Sequence, residues 1–261
     1  MRYSPARIYR AIRQRALPFA PAFRFHASVR GHQITLVVDT AMDLYRAESY
    51  ESKEPETLDW IDSVVQADDV FFDVGANVGL YGIYAAVARR ARVWAFEPEA
   101  QNVGRLQQHI VENNLVGRVH PYVLALTDQE GLDVLQLHGP VLGPASALHA
   151  FGSAIDYEGN AFSPIATQGL FGTTLDLLTT RWGLPVPNHL KIDVDGLEPK
   201  ILAGARHLLT RPELRTLLIE IEEGHEGVAD VVLANGFREV RRQPTLMNQR
   251  VVGYNCIFAR A

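Results

Sequence analysis

The chain has 261 residues, 47% of them hydrophobic and 21% charged, which supports one large α/β core and excludes a disordered or fibrous protein. Its one cysteine, Cys256, rules out an intrachain disulfide framework, and the run Tyr254-Asn255-Cys256-Ile257-Phe258 reads as core strand. The net charge of −5 hides an asymmetry, because residues 1–38 carry seven arginines and no Asp or Glu.

That basic arm suits contact with anionic lipid headgroups or nucleic-acid phosphates, but it holds no run of consecutive basic residues and reads equally as a solvated surface helix. Its apolar patch, Ala16 to Pro21, is broken by two prolines, so neither a spanning helix nor a signal peptide is expected. A cytoplasmic location follows, with the arm as the one feature suited to peripheral membrane contact.

Alternation from Phe25 to Asp39 about Arg30-Gly31 predicts an antiparallel hairpin. Residues 1–50 thus form a basic arm and hairpin extension ahead of a main domain at 51–261. After a linker with Pro55, Leu58, Ile61 and Val65 share one face of a helix over Glu56–Val65. From Val70 the pattern repeats strand, glycine turn and helix, the signature of a parallel sheet with crossover helices. Strands are predicted at Val70–Val74, Arg92–Phe96, Val119–Ala125, His189–Val194, Thr216–Ile221, Phe237–Val240 and Val251–Phe258, with helices over 79–90, 100–114, 198–209 and 226–235. The fold class is α/β, doubly wound and Rossmann-like, with a seven-stranded, mostly parallel sheet. The stretch 138–172 is too long for an ordinary connection and rich in Gly, Pro and aromatics, including Phe151, Tyr157, Phe162 and Phe171. It reads as a substrate-binding lid with Tyr157 as an acceptor contact, against the alternative of a surface insertion pinned by its own rings.

Ligands of open α/β sheets bind outside the carboxyl ends of the strands. The first strand runs into Asp73-Val74-Gly75-Ala76-Asn77-Val78-Gly79, a glycine turn that enters a helix. A dinucleotide site would want glycine where this chain has Asn77 and Leu80. Asp73 would also repel a diphosphate, yet attract the ammonium and sulfonium groups of S-adenosylmethionine. Glu97, eighteen residues after Gly79, ends the second strand where such folds hold ribose hydroxyls. Asp73, Gly75, Asn77, Gly79, Glu97 and Pro98 are therefore candidate cofactor contacts, joined by Asp128, which suits either an adenine edge or a turn cap.

Beyond the fourth strand stand Asp193, Asp195 and Glu198, with Asp193 and Asp195 on one side if the strand continues that far. Carboxylates that close need compensation, and Lys191 is at hand. General base, metal ligand and helix N-terminal stabiliser compete as their roles. We take Asp193 and Asp195 as catalytic candidates, and Glu198 and Glu220 as acceptor-side ones. No histidine, His225 included, lies at a metal-ligand spacing, so no metal is expected and activity should not require a divalent ion.

Together Asp73-Val-Gly-Ala-Asn-Val-Gly79, Phe96-Glu97-Pro98, Thr174-Leu175-Asp176-Leu-Leu178, Lys191-Ile-Asp-Val-Asp-Gly196 and Leu218-Ile-Glu220 resemble the FkbM family of methyltransferases over roughly residues 50 to 223. The resemblance implies a class I methyltransferase fold, S-adenosylmethionine as cofactor, and methylation of a hydroxyl on a polyketide, sugar, glycolipid or polysaccharide. It carries over Asp73, Gly75, Asn77, Gly79 and Glu97 to the cofactor, and Asp193 to the acceptor side. This chain departs from the pattern at Asp195, where the family usually has Glu.

Two readings compete with this one. The arginine arm suggests a methyltransferase acting on RNA or protein, although no aromatic stacking surface is interleaved with basic residues and nucleic acid is not the expected partner. A silent cofactor-binding scaffold is the other, and three carboxylates near a cationic ligand argue against it. The expected partner is a small-molecule, glycan or lipid acceptor.

Overall fold

Arg30 and Gly31 take positive φ, 50° and 83°, the turn whose twist matches the strands it joins. They connect β1 (Phe23–Val29) to β2 (His32–Val38) in antiparallel register. The computed structural model describes residues 22–137, 150–151, 161–194, 196–225, 227–247 and 250–261. Most of the basic arm, Asp195, Tyr157 and much of the expected lid lie outside them. Two of the seven arginines are in view and pair with the body of the fold: Arg24 with Glu112, and Arg30 with Asp59 and Asp62.

A helix then forms where the sequence reading had only linker. In α1 (Ala41–Ser49) the Thr40 side chain accepts from the Asp43 amide while Asp43 accepts from the Thr40 amide, a reciprocal cap. Next come α2 (Pro55–Val64), β3 (Val70–Val74), α3 (Leu80–Arg89), β4 (Arg92–Glu97), α4 (Ala100–Glu112) and β5 (Val119–Val123). The chain continues through β6 (Ala125–Leu126), β7 (Gly131–Leu137), β8 (Ala150–Phe151), β9 (Ala166–Thr173), α5 (Leu175–Thr180), β10 (His189–Ile192) and α6 (Glu198–Ala203). It closes with β11 (Thr216–Glu222), α7 (Gly227–Ala234), β12 (Phe237–Met247) and β13 (Arg250–Arg260).

Among the described residues the main sheet has seven strands in the order β12-β13-β11-β10-β3-β4-β5, and β13 runs antiparallel to both its neighbours. Alternation along its strands feeds two cores. Phe71, Val93, Ala95 and Leu218 pack against α2, α3 and the hairpin, whereas Phe72, Phe96, Ile192, Leu217 and Ile219 pack with residues of α5, α6 and α7. Burial on both faces is what a crossover-covered parallel sheet requires. Because Val29, Ile34, Leu36 and Val38 belong to the first core, the hairpin is built into the main domain's packing. Among the described residues no helix is long and apolar enough to cross a membrane.

Several boundaries differ from the expectation, and β12 runs on to Met247 rather than ending at Val240. The third strand ends at Val123, and Ala125–Leu126 pairs with β9 instead, inside a second sheet of order β6-β9-β7-β8. The expected lid therefore contains strand β9, paired antiparallel with β7 from Gly131↔Gly172 to Leu137↔Ala166. Strand β10 stops at Ile192 rather than Val194. Helix α6 stops at Ala203, ahead of Gly204, where a Cβ would overlap the Thr127 carbonyl oxygen; a 3-10 turn at Leu208–Thr210 follows.

Candidate functional site

Sheet order reverses between β3 and β10, because the chain winds through β4 and β5 on one side and through β11 on the other. That opens a crevice above their carboxyl ends, and the turn 75–79 forms its floor. Gly75 and Ala76 both donate to the Phe96 carbonyl, at 3.0 and 3.1 Å. Gly75 needs to be glycine for two reasons: its φ is +77°, and a Cβ there would overlap the Asp193 carbonyl oxygen. Gly79 takes φ +84°, which L side chains rarely adopt, and a Cβ there would have to push the end of the Leu106 side chain aside. Asn77 takes the left-handed conformation at φ 50°, its side-chain oxygen accepting from the Val78 amide at 2.9 Å.

The Glu97 carboxylate holds this floor in place. One oxygen accepts from the Asn77 amide at 2.8 Å, and the other from the Glu99 amide at 3.0 Å and the Asn102 side chain at 3.2 Å. An ionised carboxylate has about four acceptor sites, so three are committed and one remains for a ribose hydroxyl. The expectation that Glu97 grips both hydroxyls is narrowed accordingly. Burial pushes its pKa up to about 7, against the three donors that favour its charge. As a carboxyl group raised in the fold, it favours folding most at acid pH and loses that contribution as pH rises through 7. Hydroxyl donors ask for the opposite form. Affinity for S-adenosylmethionine should therefore rise from pH 6 to pH 8, by up to about tenfold per unit below 7. Calorimetry across that range checks it, and Glu97→Gln should flatten the slope.

Asp73 does not face the crevice. It is fully buried, one oxygen accepts from the Gly82 amide at 3.0 Å, and the other lies 3.9 Å from the Lys191 ammonium. It fixes the first turn of α3, and its charge is directed at Lys191 rather than at an open ligand site. Gly82 leaves the room: a Cβ there would press on the Asp73 carboxylate at 2.9 Å.

Lys191 is the hub. Buried on β10, it donates to Asp193 at 2.5 Å and lies over the Tyr81 ring at 5.1 Å. Burial lowers its pKa, but Asp193, Asp73 and Glu54 more than reverse this and hold it charged. Burial likewise opposes the charge on Asp193, yet Lys191, a hydrogen bond from Glu220 and the nearby Lys53 keep its pKa well below the usual carboxylate range. Glu220, raised by burial and by Asp193, carries the proton between them. Asp193 keeps 25% of its side chain accessible, which leaves an ionised carboxylate open at the end of β10. Around it stand residues from the segment between α1 and α2, where the sequence carries no motif. Lys53 donates to the buried Glu54 at 2.5 Å, Glu54 also bonds Tyr81, and the Tyr50 hydroxyl donates to the Leu80 carbonyl.

The other candidates scatter. Asp128 is exposed on the turn from β6 to β7 and accepts from Thr127 at 3.0 Å. Pro98 lends its carbonyl to Gln168 of β9, at 2.7 Å. Glu198 is buried at the start of α6 and lies apart from the Lys191 hub; its near neighbours are Glu222 and His225. His225, which stands at no metal-ligand spacing in the sequence, is thus brought beside two carboxylates by the fold. Asp176, in the Thr174-Leu175-Asp176 motif, accepts from the His207 and Leu208 amides at 2.9 and 2.7 Å, a structural cap.

A glycine turn flush against two strands, a carboxylate with a spare acceptor site at the end of β4 and a partly accessible carboxylate at the end of β10 suit a ligand with ribose hydroxyls and positive charge. Residues 73–249 match the methyltransferase FkbM domain. The chain is 25% identical to the hexuronic acid methyltransferase AglP of Haloferax volcanii over 198 residues, 76% of this chain and 74% of that protein. It is also 25% identical to the 31-O-demethyl-FK506 methyltransferase FkbM of Streptomyces tacrolimicus over 201 residues, 68% of this chain and 76% of that one. Among solved structures, PH0793 from Pyrococcus horikoshii shares the fold with a TM-score of 0.52 and 10% identity, over 90% of this chain and 71% of that one.

Proposed function

The chain belongs to the FkbM family of methyltransferases and is an S-adenosylmethionine-dependent enzyme; from that premise we propose that it methylates a hydroxyl of a sugar, glycolipid, polysaccharide or polyketide-type acceptor. The observation that carries this reading is the ionised, partly open Asp193, held by Lys191 and Glu220 beside the Gly75 turn. When bound, the cofactor supplies a methyl group on a positively charged sulfur. Gly75, Asn77, Gly79 and the free acceptor site of Glu97 would hold and orient it, and Pro98 and Asp128 are proposed as further contacts. Asp193 accepts a hydrogen bond from the acceptor hydroxyl, which orients an oxygen lone pair toward the methyl carbon. It would take the proton of that hydroxyl as the oxygen is methylated, the methyl group being what the bound cofactor would supply. Glu220, holding its proton, adds no second negative charge beside Asp193.

The two named relatives act on a hexuronic acid and on 31-O-demethyl-FK506, which supports a polyhydroxylated acceptor. Acceptor selectivity is assigned to the 138–172 segment, Tyr157 included, and the reaction to the cytoplasm, with the arginine arm available to a membrane surface. Incubating the full chain with radiolabelled cofactor and a glycan or lipid extract tests the proposal. Label in a base-resistant ether supports it. Label only in added tRNA or protein would move the function to those acceptors.

A further inference from the structure

Glu222 ends β11, and the chain then turns sharply: Gly224 takes φ +94°, and the His225 amide donates to the Glu222 carbonyl at 3.0 Å. This turn brings the His225 ring back over the Glu222 carboxylate. Glu198 arrives from a different part of the chain, the first residue of α6, and is 1% exposed. His225 Nδ1 lies 3.9 Å from one oxygen of Glu198 and 3.9 Å from one oxygen of Glu222, and the three donor atoms fall within 4.8 Å of one another.

Those separations are too long for hydrogen bonds, and the Nδ1 atom is itself shielded from solvent with no hydrogen-bond partner. They fit a different arrangement. Donors at about 2.0–2.2 Å from one ion stand about 3 Å apart when adjacent and about 4.3 Å apart when opposite, so an ion among the three asks for movements well under an ångström. One imidazole with two carboxylates is a borderline donor set. It suits Mn²⁺, Fe²⁺, Co²⁺ or Zn²⁺ better than the all-oxygen cages of Ca²⁺ and Mg²⁺.

We propose that Glu198, Glu222 and His225 form a three-residue site for a divalent transition metal at the carboxyl edge of β10 and β11. The site is distinct from the Lys191–Asp193 hub: Glu222 lies two residues beyond Glu220 on β11, toward the mouth of the crevice. The side chains of His225 and Glu222 are 33% and 17% exposed, so one side of the ion is reachable and three protein donors leave positions for oxygen ligands. Neighbouring hydroxyls of a polyhydroxylated acceptor are ligands of that kind. This last role rests on the acceptor proposed above, whereas the metal site does not.

The test uses Mn²⁺ with the full chain, free of cofactor and acceptor, so that its result is independent of the methyl-transfer reading. Loss of the free-ion electron paramagnetic resonance signal should saturate at one ion per chain. His225→Ala and Glu222→Gln should each weaken binding at least tenfold. Pulsed measurements on the unaltered protein should show coupling to one directly bound imidazole nitrogen, which covers the case of a variant that fails to fold. No stoichiometric binding at millimolar Mn²⁺, or binding without nitrogen coupling, would overturn the assignment.

Discussion

Asp193→Asn should lower methyl-transfer turnover by about 10²–10⁴-fold, the usual range for losing a positioned proton acceptor, while cofactor affinity stays within a few-fold. The substitution keeps the volume and keeps an oxygen that accepts from Lys191, at 2.5 Å in the parent chain. What it removes is the charge that Lys191, Glu220 and Lys53 jointly hold in place. The pH profile separates a proton acceptor from a structural tie. With Asp193 intact, its depressed pKa predicts a rate that stays flat down to acid pH on its account. The residual rate of Asp193→Asn should instead rise toward alkaline pH, as the acceptor hydroxyl loses its proton unaided. A variant that turns over at the parental rate would remove Asp193 from the chemistry.

The sequence shows strand β3 and the whole turn 75–79 because their constraints are local: an apolar run, then glycines that only one backbone path explains. It shows Lys191 and Asp193 because alternation on a short strand sets them on one face. What it conceals depends on contacts between distant segments. Glu54 and Tyr81 meet only after the hairpin and α1 fold onto α3, and neither carries a spacing signal. One local signal does exist, since Thr40 and Asp43 form a capping pair three residues apart, and α1 was legible from it. His225 lies within three residues of Glu222 but 27 residues from Glu198, so a search for metal-ligand spacing passes over it. The second sheet is hidden for another reason. Strand β7 alternates weakly and leaves Leu132 86% exposed, so its apolar pattern does not announce a buried face, and only its pairing with β9 defines it.

Lys191→Met should be the most destabilising single change at this site, by about 3–5 kcal/mol, because it strands buried carboxylates without their cation. In a domain of roughly this size that corresponds to a fall in melting temperature of about 6–20 °C. Asp73 has no other cation within ion-pair distance among the described residues: its second oxygen has no hydrogen-bond partner and lies 3.9 Å from the ammonium. Burial already raises the Asp73 pKa, with Lys191 the main force opposing that rise. Removing the ammonium lets Asp73 climb further and releases Asp193 upward as well. A carboxyl group raised in the fold stabilises at acid pH and loses that contribution as pH rises through its folded pKa. The Lys191→Met protein should therefore melt highest on the acid side and weaken steadily toward neutrality. Adding Asp73→Asn to it should restore part of the loss, since the two side chains are in contact and the coupling between such neighbours is about 0.5–3 kcal/mol. Calorimetric scans of the parent, the two single variants and the double variant from pH 5 to pH 8 measure this directly. A strictly additive cycle would show that Lys191 stabilises through its contacts with Asp193 and Tyr81 alone, and that Asp73 is held by Gly82 without its help.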